Sequence, residues 1–499
     1  MHEGRRKIQR KQAIAPQEMP TPTVVLVPMW APGHFASMLE AAKTLQLRAG
    51  GGGAIRLTAL VLPPPPDSEA SEVTTQLRRL ETASDDAVGF RHLPAVEHFH
   101  GLVHPSEYIR LFASHVKEAI AALAAAAPVA AVIVDMFAAP LLDVVNDFAA
   151  VPAYVYFTST GALLALMLRL PAIHDEVAAR FREKEGTVDV PGMPPVPVAS
   201  LPSPRVNDYD WFAYLGRRYA EARGIIVNTA AELEPGVLAA IADGRCTPAG
   251  VRAPAVYPIG PVLSLKDDDH QSPPHECVRW LDARPPASVV FLCFGSMGCM
   301  DAAQAREVAA GLERSERSFL WVLRAPPAAG DSRRYPTDAD LDVMLPDGFL
   351  ERTKGMGLVW PRWAPQSEIL AHAAVGGFVT HGGWNSVLES LWFGVPMAPW
   401  PLYAEQHLNA FELVAGMGVA VELRMCAGRE RDGFVEAAEL ERAVRSLMGG
   451  DEEGRRARGK AKGMQAACRK AVEKGGSSYV AMEKVVQDML GSCTPKEHV

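Results

Sequence analysis

The chain has 499 residues, of which 48% are hydrophobic and 22% charged, and its 50 basic and 58 acidic side chains give a formal net charge of −8. These values are typical of a soluble globular protein with room for two or three domains. They argue against nucleic-acid binding, which requires a concentrated basic surface. Seven cysteines without a CxxC pair predict reduced thiols in a cytoplasmic protein.

The first segment of the chain, residues 1–22, is polar and partly basic, and no apolar stretch follows it. We therefore expect a disordered extension and not a secretory signal. The longest apolar stretch, residues 119–134, is shorter than a membrane span and contains Pro128. Stable membrane insertion is accordingly not predicted.

From residue 23 to residue 256, short β-branched runs alternate with longer helical patterns. This alternation is typical of a parallel sheet covered by helices. The predicted strands are 24–28, 55–62, 129–137, 153–158 and 224–228.

Residues 257–276 are rich in Pro, Asp and other polar residues, and we interpret them as an interdomain linker. A second alternating series occupies residues 277–499, and its last helix is expected to pack back on the first domain. Its predicted strands are 288–294, 319–323, 357–360, 377–381 and 395–400, with helices at 301–313, 385–393 and 406–416. The fold class is therefore α/β, with two Rossmann-like domains whose strand ends face one central cleft.

The most informative stretch is residues 363–406, which begins with WAPQSEIL and ends with AEQ. Within it, residues 381–386 read HGGWNS and lie where a predicted strand ends and a helix begins. Glycines there allow close backbone approach, and a helix N-terminus offers unpaired N–H groups to an anion. This pattern predicts a diphosphate pocket.

Three other features of this stretch each allow two interpretations from spacing alone. Trp363 is either a core residue or a stacking platform for a flat base. Glu389 lies three residues after Ser386, so it either completes a capping box or accepts hydrogen bonds from sugar hydroxyls. The pair Glu405-Gln406 either starts a helix or binds a polyhydroxylated ligand.

In the first half, His34 follows the first strand at the start of a helix, and Asp135 lies at the carboxyl end of a buried strand. A single His at a helix start is more often a cap or a packed residue than a functional one. A buried Asp, however, needs a partner. Neutral imidazole is also the base best matched to neutral pH, so the chemistry of His34 would suit a general base.

Residues 363–406 resemble, at nearly every signature position, the C-terminal signature of plant family 1 UDP-dependent glycosyltransferases. The resemblance extends to VVFLCFGSMG at Val289–Gly298 and to GIIVNTAAELEP at Gly224–Pro235, and it covers nearly the whole chain from residue 23. It implies the GT-B architecture. The additional motifs resemble the subgroup that acts on flavonoids, other small phenols or terpenoids.

The resemblance also implies roles for individual residues. Trp363 would stack on uracil, the Ala364 backbone would pair with its edge, and Gln366 and Glu389 would bind the ribose. The residues implied to bind the diphosphate are His381, Asn385, Ser386 and Ser296, and those implied to hold the sugar are Trp384, Glu405, Gln406 and Thr158. In the family a Gln at position 406 usually accompanies UDP-glucose and a His UDP-galactose, while Glu405 stands where many members have Asp.

By the same resemblance, His34 would be the catalytic base and Asp135 its orienting carboxylate. The expected activity is inverting transfer of glucose from UDP-glucose to a hydroxyl of a small hydrophobic aglycone, most plausibly a flavonoid or another phenol. Alternatives are C-glucosylation, a terpenoid or hormone acceptor, a nucleotide-sugar epimerase and a silent UDP-sugar-binding protein. The resemblance also implies that no metal or cofactor is needed, and we expect a monomer. The spacing of His98, His100 and His104 fits no standard metal site.

Overall fold

The computed structural model describes residues 20–65, 70–83, 87–96, 104–183, 185–202, 208–265, 273–327, 336–426 and 433–491. Residues 1–19 of the predicted extension lie outside these ranges, as do His98 and His100.

The first domain is a seven-stranded parallel sheet in the order β3-β2-β1-β4-β5-β8-β9. Its strands are β1 Thr23–Val27, β2 Arg56–Val61, β3 Val88–His92, β4 Val129–Asp135, β5 Ala153–Phe157, β8 Gly224–Val227 and β9 Ala255–Pro258, with a small hairpin of β6 Thr187–Val188 and β7 Val196–Pro197. Its helices are α1 Pro32–Ala49, α2 Ala70–Ala83, α3 Pro105–Arg110, α4 Ala113–Ala126, α5 Leu142–Asn146, α6 Gly161–Glu183, α7 Asp208–Tyr219 and α8 Pro235–Ala242.

The second domain is a five-stranded parallel sheet in the order β14-β11-β10-β15-β16. Its strands are β10 Val289–Cys293, β11 Ser318–Val322, β14 Gly357–Trp360, β15 Val375–Thr380 and β16 Met397–Pro399, with a short pair of β12 Arg324–Ala325 and β13 Thr337–Asp338. Its helices are α9 Glu276–Asp282, α10 Ala302–Ser315, α11 Leu341–Met344, α12 Phe349–Arg352, α13 Gln366–Ala371, α14 Trp384–Phe393, α15 Gln406–Phe411, α16 Ala437–Arg445 and α17 Glu452–Val472.

The central strands are apolar throughout because helices cover both faces of each sheet. In β10, for example, Phe291 packs into a core on one face and Leu292 into a core on the other. Burial on both faces explains why these strands read as continuous hydrophobic runs in the sequence.

Two edge strands of the first sheet, β3 and β9, were not predicted. Both are largely exposed or half-buried and carry polar residues or Gly and Pro, so neither presents a continuous apolar run. Because β9 ends at Pro258, the first sheet extends two residues into the range assigned to the linker.

Most predicted strands end one or two residues earlier than expected, and the endings of β4 and β5 place functional side chains. β4 stops at Asp135 and not at residue 137, because the Asp135 carboxylate caps a 3-10 helix, Met136–Leu141, by accepting from the Phe137 backbone N–H at 2.9 Å. β5 stops at Phe157, which leaves Thr158, Ser159 and Thr160 in the turn before α6.

The last helix, α18 Ser477–Gly491, packs against the core of the first domain through residues such as Met482 and Val485. Asp488 on this helix accepts hydrogen bonds from Tyr154 at 2.7 Å and from the Arg223 Nε at 3.1 Å. The second domain is therefore tied to the first at the end of the chain as well as through the linker.

Candidate active site

A cavity of about 840 Å³ lies between the two domains, where the carboxyl ends of both sheets meet. Open α/β sheets bind ligands at this position. Residues predicted from both halves of the sequence line the same cavity: His34, Thr158, Ser296, His381, Trp384, Asn385, Ser386, Glu405 and Gln406.

The predicted dyad is formed. His34 Nδ1 lies 2.9 Å from Asp135 Oδ2, and the Asp135 side chain is completely buried. Because Nδ1 is directed at the carboxylate, Nε2 is the ring nitrogen left to face a ligand in the cavity. The arrangement suits a base whose tautomer is set by its partner.

The pKa of His34 is raised above its ordinary value of 6.5. Burial is the largest single influence and lowers this pKa, but the charge of Asp135, its hydrogen bond and the charge of Glu405 together outweigh it. The imidazolium that forms when His34 accepts a proton is thereby stabilised.

Thr158 lies beside the dyad. Its Oγ1 is 3.0 Å from His34 Nδ1 and 3.6 Å from Met136 Sδ. The expected sugar contact through this hydroxyl therefore competes with its contact to His34. The neighbouring Ser159 hydroxyl points toward the second domain and approaches Glu405 Oε1 at 3.5 Å.

The first-domain lining of the cavity is mostly apolar, with Glu107, Thr158 and Ser159 among its polar members. It includes side chains contributed by separate segments: Met136, Phe137, Leu163, Met167, Trp211 and Phe212. The His34 ring lies 5.5 Å from the Phe137 ring, and His104 stacks on Trp211 with the ring centroids 5.1 Å apart. This half of the cavity fits a flat hydrophobic molecule.

In the second domain, the HGGWNS turn joins β15 to α14, whose N-terminal residue is Trp384 with Gly383 as the N-cap. The glycines leave room for the His381 ring, since a Cβ on Gly383 would lie 2.4 Å from His381 Nε2. Burial lowers the pKa of His381 to about 4, so this imidazole is neutral at neutral pH. The amide N–H groups of a helix start and neutral side chains thus converge where an anion is expected.

The predicted stacking platform is available, because Trp363 is 61% exposed and is not a core residue. Its backbone is held by Trp360, whose indole Nε1 donates to the Trp363 carbonyl at 3.0 Å. Trp360 was not among the predicted site residues, although its position at the end of β14 is a signal that could have identified it. The adjacent Ala364 is buried.

Glu389 does not form a capping box. The helix begins at Trp384, so Ser386 and Glu389 both lie inside it. The Gln366 amide instead donates to Ser386 Oγ at 2.9 Å and to Glu389 Oε2 at 2.8 Å. Burial raises the pKa of Glu389, and the hydrogen bond from Gln366 opposes that shift.

The predicted sugar residues lie at the boundary between the domains. The Trp384 indole is buried and donates to the Asn228 carbonyl of the first domain at 2.6 Å, so a ligand at this position would meet the backbone of Trp384 and not its indole N–H. Gln406 Oε1 accepts from the backbone N–H groups of Leu402 at 2.8 Å and Tyr403 at 3.0 Å. The Gln406 amide therefore offers its NH₂ group, a donor, to the cavity.

Residues 256–450 match the family model described as UDP-glucoronosyl and UDP-glucosyl transferase. A malvidin galactosylase from Oryza sativa subsp. japonica is 56% identical over 483 residues, which cover 95% of this chain and 98% of the rice protein. The chain belongs to the plant UDP-glycosyltransferase family. An anthocyanidin 5,3-O-glucosyltransferase from a Rosa hybrid cultivar is 38% identical, with 93% of this chain and 98% of the rose protein covered.

The fold of the glycosyltransferase is that of solved relatives, the two-domain GT-B architecture. The structure of a Phytolacca americana glycosyltransferase in complex with UDP-2-fluoro-glucose and pterostilbene has a TM-score of 0.80 and 34% identity, and covers 94% of this chain and 100% of that chain. Within the described ranges, no cluster of three or more potential metal-binding side chains is found. No helix in the described part of the glycosyltransferase is long and apolar enough to cross a membrane.

Proposed function

We propose that this glycosyltransferase moves glucose from UDP-glucose to a phenolic hydroxyl of a flavonoid-type acceptor, with inversion at the anomeric carbon. The observation that carries the proposal is the position of His34, which is bound to Asp135 and lies where the apolar half of the cavity meets the polar half. The rice and rose relatives are named for activity on malvidin and on anthocyanidins, which supports a flavonoid-type acceptor.

In the proposed reaction, His34 Nε2 accepts the proton of the acceptor hydroxyl as the oxygen bonds to the anomeric carbon. The bond from that carbon to the diphosphate oxygen breaks, and UDP leaves from the opposite face of the sugar. An α-linked donor therefore gives a β-glucoside in one displacement. Asp135 stabilises the imidazolium formed in this step.

We also propose that the reaction needs neither a metal nor a cofactor. The N-terminus of α14 and the neutral side chains of Asn385 and Ser386 supply hydrogen-bond donors for the developing charge on UDP. Asn385 is held by a bond from its Nδ2 to the Gly33 carbonyl at 3.2 Å. The free state of the described cysteines supports a cytoplasmic location.

Galactose is a second candidate for the transferred sugar. The rice relative is named a galactosylase, whereas Gln406 favours glucose by its resemblance to the family signature. The Gln406 NH₂ group is available to donate a hydrogen bond to a sugar hydroxyl. Such a bond is compatible with glucose and with galactose, which differ in the orientation of the O4 hydroxyl.

The test is transfer by the purified protein, in the presence of EDTA, from UDP-glucose and from UDP-galactose in separate incubations. Acceptors are anthocyanidins, other flavonoids, simple phenols and terpenoids, and the products are analysed by mass spectrometry and NMR. We expect transfer from UDP-glucose to be faster than transfer from UDP-galactose, and its product to be an acid-labile β-glucoside on a flavonoid hydroxyl. Faster galactoside formation would replace the donor assignment, and an acid-stable product would indicate C-glycosylation. UDP-glucose binding without any product would indicate a silent binding protein.

A further inference from the structure

A pair of buried carboxyl groups lies where the two domains meet. Glu234 belongs to the first domain and is 3% exposed, and Glu412 belongs to the second domain and is 4% exposed. The Glu412 carboxyl lies within hydrogen-bonding reach of the Glu234 carboxylate. Two ionised carboxylates at this distance in a buried site would repel each other strongly, so one of them must hold a proton.

The surroundings of Glu234 identify it as the ionised partner. Its Oε2 accepts from the Gly161 backbone N–H at 2.9 Å, and its Oε1 accepts from the Ala162 N–H at 2.7 Å. Both donors lie at the N-terminus of α6, a helix of 23 residues whose dipole also favours a negative charge there. Both oxygens of Glu234 therefore act as acceptors.

Glu412 has no comparable donors. Its Oε2 is buried and has no hydrogen-bond partner among the described residues. Burial and the neighbouring Glu234 raise the pKa of Glu412 well above its ordinary value of 4.5. The shared proton thus resides on Glu412, which donates it to Glu234 as a charge-assisted hydrogen bond.

Glu412 also follows two other polar residues, at intervals of three positions, in the same continuous helical segment. Gln406, Asn409 and Glu412 are spaced by three residues and all are buried. Gln406 lines the cavity and accepts from the 402–403 backbone, and Asn409 donates to the Gly382 carbonyl of the diphosphate turn at 2.9 Å. Gln406 and Asn409 therefore connect this segment to residues of the active site, and Glu412 connects it to Glu234 at the N-terminus of α6.

We propose that Glu412, in its protonated form, is a positioning residue of the sugar site, which holds the helix that carries Gln406 against the N-terminus of α6. This inference rests on the proposed role of Gln406 in sugar binding. Loss of the proton leaves two facing carboxylates, which separates α15 from α6 and displaces Gln406. Binding of the UDP-sugar then weakens at alkaline pH.

The charged groups around the pair support this assignment. Burial and the neighbouring Glu234 both raise the pKa of Glu412, and burial is the larger influence. The nearest acidic residues along the two segments have other partners: Glu232 accepts from Ser477 Oγ at 2.8 Å, and Glu405 acts on His34. A neutral donor at position 412 should therefore replace protonated Glu412 at every pH.

The experiment compares wild type with Glu412→Gln and Glu412→Ala, measuring kcat and the KM for UDP-glucose from pH 6 to pH 9.5, together with the Kd for UDP. Gln is isosteric with protonated Glu and keeps the donor. We expect the wild-type KM to rise at alkaline pH, Glu412→Gln to keep a low KM throughout, and Glu412→Ala to show a KM about tenfold higher at all pH values. UDP, which lacks the sugar, should bind all three with similar Kd.

Thermal unfolding provides a readout that does not depend on transfer. A carboxyl whose pKa is raised in the folded state contributes most stability below pH 4.5 and loses it as pH rises through the raised pKa. The Tm of Glu412→Gln should therefore exceed that of wild type by a margin that grows from pH 5 to pH 9. Glu483→Gln, an exposed site on α18, is the matched control and should show no such trend.

A Tm difference between Glu412→Gln and wild type that stays constant from pH 5 to pH 9 would contradict the claim that Glu412 and Glu234 share a proton. A Gln variant as impaired as the Ala variant, or with the same alkaline rise in KM as wild type, would overturn the positioning role. Failure of the proposed function is a distinct result, since wild type itself would then transfer no hexose while the unfolding measurements still test the carboxyl pair.

Discussion

In the second domain, the donor half of the cavity is built mainly from the continuous stretch 363–406, whereas the acceptor half combines side chains from separate segments of the first domain. The donor half presents backbone groups at a helix start and neutral polar side chains, while the exposed Trp363 indole is not among the residues that line the cavity. The acceptor half presents aromatic and aliphatic side chains around a single dyad, His34 and Asp135.

This difference follows from what each half has to bind. A nucleotide diphosphate has many fixed hydrogen-bonding groups, so its site requires specified residues at specified spacing. A hydrophobic aglycone is held chiefly by shape and apolar area, which many combinations of side chains can provide. The chemistry of the acceptor half is therefore concentrated in its base, and that of the donor half is spread over many contacts.

The largest effect is expected for His34→Ala. Removal of the base should lower kcat by about 10²–10⁴-fold for ordinary phenols, while the Kd for UDP stays near that of wild type. Steady-state kinetics and titration calorimetry measure the two quantities. A strongly acidic phenol, already ionised at the assay pH, should retain much more activity than an ordinary one. Full turnover of ordinary phenols by the variant would remove His34 from catalysis.

Loss of Glu389 should act on the donor half alone. Glu389→Ala removes a half-buried carboxylate that accepts from Gln366, and we expect the KM for UDP-glucose to rise by about 10–100-fold, the loss associated with a hydrogen bond to a charged group. The KM for the acceptor should change little. Kinetics with each substrate varied in turn would test this separation, and equal damage to both KM values would contradict it.

The pH dependence should be governed by the acceptor half. His34 must be neutral to accept a proton and its pKa lies above 6.5, so kcat/KM should fall about tenfold for each pH unit below that raised pKa. Because Glu405 contributes to the upward shift, Glu405→Gln should move the acidic limb to lower pH. A pH–rate profile with an unmoved limb would show that Glu405 does not act on His34.

The smallest effect is expected for Trp360→Phe. This change removes the bond from the indole N–H to the Trp363 carbonyl, and we expect UDP to bind roughly 2–10-fold more weakly, in line with one neutral hydrogen bond. Trp321→Phe is the matched control, because Trp321 is a buried indole of the same domain whose Nε1 has no hydrogen-bond partner among the described residues. It should lower the Tm without weakening UDP binding, as measured by calorimetry.

The buried strands of the fold were predicted from the sequence, whereas two edge strands were missed, and the difference in burial explains why. Strands covered on both faces, such as β1 and β10, carry continuous apolar runs that a sequence displays directly. The edge strands β3 and β9 do not, since they are paired on one side and are mostly not buried. Their existence depends on the neighbouring strand and not on their own pattern.

The two α/β domains and the donor stretch 363–406 could be predicted from the amino-acid sequence, because they depend on local periodicity or on residue types at short spacing. The family and the pairing of His34 with Asp135, which lie 101 residues apart, were predicted from the resemblance of whole motifs. Which groups each side chain meets, in contrast, is set by the tertiary structure. It showed Thr158 against His34, Trp384 bonded across the cleft to Asn228, Trp360 behind Trp363, and Glu412 against Glu234. His34 and Thr158 meet at the strand ends of the first sheet, whereas the Trp384–Asn228 and Glu412–Glu234 pairs form only when the two domains pack. The energies of these contacts depend on burial and mutual charge, which sequence spacing does not specify.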